Sequence, residues 1–348
     1  MRSGDFKETY ADLVVLSDSR LVWTWAAILV VALVAAPFYV NAYVLSLLTL
    51  VFITVTGALG LNLLTGMTGL ISLGHAGFLL LGAYGYAIAV AKYGYHPIVG
   101  FLAAGLAPAL FAIVVGLPSL RLRGLYLAIT TLAFSYIIAN LILEARSFTG
   151  GARGITVMRP EMLGLDFSSD QAFALLCMAV AAITLFACLN ISRSRIGRAF
   201  MAIRDNDIAA RTMGVNLQAF KLYAFMTSAL ITGVAGALMG IYLSFVSVEG
   251  FPFLLSIEAL AILIVGGLGS VLGVVFGTVF IVLLPEIIRV GFGFLGSGLE
   301  SVLSTGIHEV KSMAYGVVII LFLRFEPRGL VGVWRDVKRL WTLWPLRY

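Results

Sequence analysis

Few side chains in this sequence can do chemistry, and most of those lie inside apolar runs. His75, Glu258 and the cluster His308, Glu309 and Lys311 are ionisable groups in or beside such runs. Charge in hydrocarbon is costly, so each is a functional candidate by default. Structural roles compete: Glu258 at the outer end of a span, His308 and Lys311 near an interface, His75 as a hydrogen-bonded packing residue. Thr130, Thr131, Ser135, Tyr136 and Asn140 form a polar set, and helical spacing puts Thr131 and Ser135 on one face that could meet water or a solute. Back-bonding of the hydroxyls to helix carbonyls is the rival role.

Catalytic and cofactor motifs are sparse. No G-x-x-x-x-G-K-[ST] is present, so the chain does not hold ATP through a P-loop. Gly291 to Gly296 matches G-x-G-x-x-G by letter but follows no βαβ pattern, which disfavours a dinucleotide site. Cys177 and Cys188 fall about 16 Å apart along one helix, too far to pair. The three histidines have no metal-ligand spacing. An enzyme, a metal site or a cofactor site is therefore not expected in this chain.

The elements that must position these groups are membrane spans. Of 348 residues, 61% are hydrophobic and 11% charged, where a soluble domain carries roughly 25% charged residues. Mean hydropathy is +1.05. The fold class this implies is an all-α polytopic membrane protein with about eight to ten transmembrane helices, some broken or re-entrant. Spans fall at about 21–40, 42–64, 70–92, 98–117, 125–143, 171–191, 221–246, a glycine-broken run at 255–284, and 302–324. The organisation is a cytoplasmic segment 1–20, a transmembrane domain 21–324, and a basic tail 325–348. Arg121, Arg123, the 192–219 segment and the tail are rich in Arg and Lys, which places them and both termini on the cytoplasmic side. The parity fails unless 255–284 bends at its glycines and returns to its own side, or 286–300 helps complete another crossing. Net charge is +6, but the cations sit in loops between spans, so topology explains them better than nucleic acid does.

Residues 192–219 are the one long polar stretch between the later spans. Ile196, Phe200 and Ile203 repeat at helical spacing, with Arg198 and Arg204 off that face. Asp205 or Asn206 can cap a second short helix, and Gly214 can end it. Two further stretches carry glycines at membrane depth: Gly66 to Gly77, with Ser72 and His75, and Gly266 to Ser270, continued by Gly273 and Gly277. Paired glycine-interrupted segments point to a transport path, while close helix packing is the alternative for the second.

Several blocks together resemble the LivM-type permease subunits of ABC importers for branched-chain amino acids. They are Ser72-Leu-Gly-His-Ala-Gly-Phe78, Arg121 to Ile129 followed by Thr131 to Phe134, Thr149-Gly-Gly151 with Gly154, Ile196-Gly-Arg-Ala199, Ala202-Ile-Arg-Asp205, Ala209-Ala210, Gly214-Val-Asn216, Gly266-Gly-Leu-Gly-Ser270 and Pro327-Arg-Gly-Leu330. The resemblance runs from about residue 60 to 330. It implies that the cytoplasmic segment docks on an ATPase, through Gly197, Arg198, Arg204, Asp205, Asn206, Asp207, Ala209, Ala210, Arg211 and Gly214. Where the broader motif has Glu, this chain has Ile208. Ser72, Gly74, His75, Gly77, Phe78, Thr131, Ser135, Gly266 and Gly267 are the expected translocation path. The resemblance further implies a second homologous permease, two ATPase subunits holding ATP and Mg, a periplasmic substrate-binding protein, and the bacterial inner membrane with its lipid. A binding protein that supplies selectivity removes the need for a deep pocket. Urea or a short amide as substrate, or a stand-alone ion-coupled transporter, are the competing functions.

Overall fold

The computed structural model describes residues 20–119, 122, 124–162, 165–293, 313–326 and 328–343. The acidic N-terminal segment before residue 20, Arg121, Arg123, and the His308, Glu309 and Lys311 cluster lie outside these. The chain is a bundle of apolar helices. It begins with α1 (Arg20–Tyr39), α2 (Ala42–Leu61, prolonged by a π-helical Asn62–Met67), α3 (His75–Ala87, prolonged by Ile88–Lys92), α4 (Pro97–Ser119) and α5 (Leu125–Glu144). A short α6 (Arg146–Thr149), α7 (Asp170–Arg193), the polar pair α8 (Arg195–Asp205) and α9 (Asp207–Thr212), and α10 (Leu217–Leu243) follow. The last four are α11 (Leu254–Gly266), α12 (Val271–Gly293), α13 (Met313–Phe325) and α14 (Gly329–Leu343). Among the described residues, seven helical stretches are long and apolar enough to cross a membrane. With α1, α3 and α13 they fill the range expected from the sequence.

α10 is the hub, packed against α4, α3 and α2. Its central window is 67% buried, against 28% for the peripheral α7. Helices in lipid gain little from hiding apolar surface from one another, so close backbone approach has to supply the packing. Gly233 and Gly236 provide it: a Cβ at the first would meet the Ala104 carbonyl of α4, and at the second the Leu79 carbonyl of α3.

Two interruptions set the geometry of everything functional. The span expected at about 70–92 does not form as one helix. After Met67 the chain turns, Leu70 N donating to Leu64 O at 3.2 Å and Thr65 Oγ1 to Leu70 O at 3.1 Å. It then runs non-helically through 69–74, and α3 starts only at His75. A Cβ on Gly57 of α2 would lie 3.3 Å from His75 Nε2. Gly57 is nine residues before Gly66, so at 1.5 Å per residue α3 begins about 13 Å inside that end of α2.

The second interruption resolves the parity. Residues 255–284 form a hairpin, α11 and α12 joined at Gly267 (φ 111°) and Gly269 (φ 79°), so the run does return to its own side. Its packing is tight because Gly273 and Gly277 both approach Gly266 backbone. α13 then brings the chain back, and the Arg328 carbonyl lies against Gly267. The tail and this turn therefore share one end of the bundle. At the opposite end β1 (Ile155–Thr156) pairs antiparallel with β4 (Phe245–Val246), and β2 (Glu161–Met162) with β3 (Leu165–Asp166). There Lys92 Nζ donates to the carbonyls of Ser147 and Phe148, and Arg289 to the Tyr43 hydroxyl at 3.0 Å.

Candidate functional site

α8 and α9 are stable as short helices because each has its own side-chain cap. Ser194 Oγ accepts from the amides of Ile196 and Gly197 at 3.2 and 3.3 Å. Asn206 Oδ1 accepts from Ile208 and Ala209 at 3.1 and 3.0 Å, so Asn206 rather than Asp205 opens α9. Asp205 instead pairs with its neighbour Arg204 at 3.3 Å. Gly214 takes φ 86° just past the end of α9, as a C-terminal glycine should.

The buried face of α8 is Gly197, Phe200 and Ile203, with Phe200 edge-on to Phe220 of α10. Ile196, expected on that face, is 45% exposed. The helix is rotated because Gly197 fits against the Ile191 carbonyl where any side chain would collide. On α9, Ala210 is buried and seats the helix on the bundle, while Ala209 and Arg211 face outward. Ile208 and Met213 project at 67% and 85% exposure. Arg198 is also outward, its Nη1 donating to the Arg193 carbonyl at 3.1 Å.

Arg204 joins this surface piece to both interruptions. Its Nη1 donates to Gly66 O at the end of α2 at 3.0 Å. Gly69 (φ 72°) packs against its aliphatic stem, and Gly269 of the hairpin turn lies against its guanidinium. Asn62 completes the joint, Oδ1 accepting from Gly269 N at 3.0 Å. Sequence reasoning passed over Asn62. Its signal was a lone amide in an apolar span just before a glycine-rich break.

The expected path residues of α3 and α5 come together at the start of α3. Ser72 Oγ accepts from Gly74 N at 3.2 Å, and Thr131 Oγ1 accepts from Leu73 N at 2.9 Å while donating to Ala128 O. Ser256 of α11 accepts from Ala76 N at 2.9 Å. Gly74 and Gly77 let α3 lie directly on Thr131 and Ser135, and the Phe78 and Phe134 rings meet at 5.1 Å. Back-bonding accounts for the hydroxyls of Thr130, Thr131 and Ser135, and Thr131 additionally holds the non-helical segment before α3.

Two cavities flank this start. One, of about 110 Å³, is lined by His75 together with Gly57 and Glu258; the other, of about 130 Å³, by Gly77 and Ser135 with Phe251 of the α10–α11 connection. Gly266 and Gly267 line neither: they form the tight hairpin turn. Among the described residues no group of three or more His, Cys, Asp or Glu is placed to hold a metal.

A bundle of membrane-length helices, interrupted at its middle and carrying a polar helix pair on one end, is the architecture of a polytopic membrane permease. Residues 43–323 match the family described as "Branched-chain amino acid transport system / permease component", and the chain belongs to that family. It is 33% identical over 338 residues to the high-affinity branched-chain amino acid transport system permease protein LivM of Escherichia coli K12, covering 90% of this chain and 76% of that one. The LivM of Salmonella typhimurium gives the same values. The E. coli LivH permease is 27% identical over 155 residues, 44% of each chain. No solved structure matches.

Proposed function

We propose that this chain is a permease subunit of an ATP-binding-cassette importer for branched-chain, aliphatic amino acids. It forms half of the translocation path, and a second related permease supplies the rest. Two ATPase subunits dock on α8 and α9, and a periplasmic binding protein delivers solute to the end that carries β1 and β4. The chain sits in the bacterial inner membrane with α8, α9 and both termini in the cytoplasm, in keeping with the cations on that end. No bond is made or broken in it; ATP and Mg belong to the partners.

The observation that carries this reading is Arg204. A docking helix pair is of use to a transporter only if its displacement reaches the membrane, and Arg204 links the pair to the end of α2 and to the α11–α12 turn. Outward Ile208, Ala209 and Met213 offer an apolar contact, with Arg211 and Asp205 as charged register marks at its rim. Replacing outward Ala209 by Trp in the assembled complex is the test. Stimulated ATP hydrolysis and uptake should both fall at least about tenfold, the effect of losing some 1.4 kcal/mol of docking energy. Wild-type values for both would reject α9 as the docking element.

A further inference from the structure

We propose that the cavity beside His75 and Glu258 is a resting site for the transported α-amino acid inside this subunit. Glu258 receives the ammonium group, and His75 at the start of α3 receives the carboxylate. This rests on the functional reading above and goes beyond it, because delivery by a binding protein does not require the permease to hold solute at all.

The cavity lies between α2, α3, α10 and α11 and measures about 110 Å³. Most of its wall is aliphatic: Leu50, Ile53, Leu79, Met239 and Leu255. A cavity of about 150 Å³ admits benzene, so at about 110 Å³ this one encloses the charged α-carbon end of the solute and leaves the aliphatic side chain against the half-buried mouth. Against that wall stand groups of the two kinds a zwitterion needs. His75 is only 5% exposed, and its Nδ1 has no hydrogen-bond partner in the protein. An unpaired polar atom buried this deep costs free energy unless something occupies it. The ring belongs to the first residue of α3, where the helix dipole places about half a positive charge. Because α3 starts inside the bundle rather than at its surface, that charge faces a dry site and favours an anion there.

Glu258, 9% exposed, lines the same space from α11. The buried Tyr315 of α13 is its electrostatic neighbour, and a carboxylate, with two oxygens and about four lone-pair sites, can accept from an ammonium group. Gly57 completes the site by omission, since a side chain there would press on the imidazole. Leu50, Thr54, Met239 and Leu255 are each half-buried in the isolated chain, which makes them the mouth.

The experiment uses the complete importer in lipid nanodiscs without binding protein, measuring retained radiolabelled leucine, alongside uptake into proteoliposomes with binding protein. Wild type should retain leucine. Glu258→Gln should weaken retention at least about tenfold, the scale of one charge-assisted hydrogen bond, while the thermal stability of the assembled importer stays near wild type. Leu50→Phe, at the half-buried mouth, should narrow the space and reduce retention of leucine more than that of alanine. The proposal is overturned if wild type retains no leucine, if both variants retain it normally, or if Glu258→Gln loses thermal stability in step with retention. Proteoliposomes of the wild-type importer that take up no branched-chain amino acid would instead overturn the functional reading itself. Uptake that persists while the cavity tests fail removes only the cavity.

Discussion

Arg204→Met should uncouple transport from ATP hydrolysis. Methionine keeps an unbranched side chain of similar reach but removes every donor. The bond lost runs from Nη1 to the Gly66 carbonyl at 3.0 Å. Hydrogen bonds from charged groups contribute about 1.5–3 kcal/mol, and the 38% exposure of this side chain argues for the low end, about 1.5 kcal/mol. If that bond carries displacement of α8 to the end of α2, losing it shifts the equilibrium between the two arrangements about tenfold. The proposed docking through α9 should be untouched, since Asn206 and Ala210 hold that helix independently. Uptake per ATP hydrolysed by the reconstituted importer should therefore drop about tenfold while stimulated hydrolysis holds within about twofold. Arg204→Lys, which keeps the charge and one donor, should fall between. Refutation would be an unchanged ratio of uptake to hydrolysis, or a parallel loss of both with normal assembly.

Asn62→Leu deletes the acceptor for Gly269 N and leaves that amide unpaired, so the purified subunit should lose about 1–3 kcal/mol in a thermal or denaturant titration. Gly236→Leu drives a side chain into the Leu79 carbonyl; overpacking at the hub should cost about 1–3 kcal/mol or prevent accumulation, read as the yield of folded protein extracted from membranes. At the opposite end, Ser168 donates to Asp166 through its amide and its hydroxyl, both at 2.8 Å, and holds the carboxyl below its usual range. A depressed folded pKa supports the turn above the unfolded value of about 4 and is lost as pH falls through the folded one. Hydrogen exchange at the Ser168 amide should thus accelerate below about pH 4, beyond its intrinsic pH dependence, and Asp166→Asn should remove that extra acceleration.

The spans were legible because about 20 apolar residues in a row have few other uses, and the ends of α9 because Asn and Gly occupy the positions where a helix needs them, whereas the Ser194 cap of α8 went unread. Depth was not legible. Nothing in the run from Gly66 to Gly77 announces that six of its residues are non-helical and that a helix starts at His75, because glycines that break a helix and glycines that pack one look alike in a sequence. The rotation of α8 that exposes Ile196 escaped for a related reason: apolar periodicity credits Ile over Gly, whereas the close approach of Ile191 demanded Gly197 on the inner face. Joints such as Arg204 to Gly66 connect residues 138 apart, a distance over which local pattern carries no information.

Because α9 stands on its cap and on one seated alanine, the side chains it offers to the outside are free of structural duty. If α9 is the docking element proposed above, Ile208, Ala209, Arg211 and Met213 form an exchangeable address, and grafting the matching four positions of another permease onto this chain should re-pair it with a foreign motor without redrawing the bundle beneath.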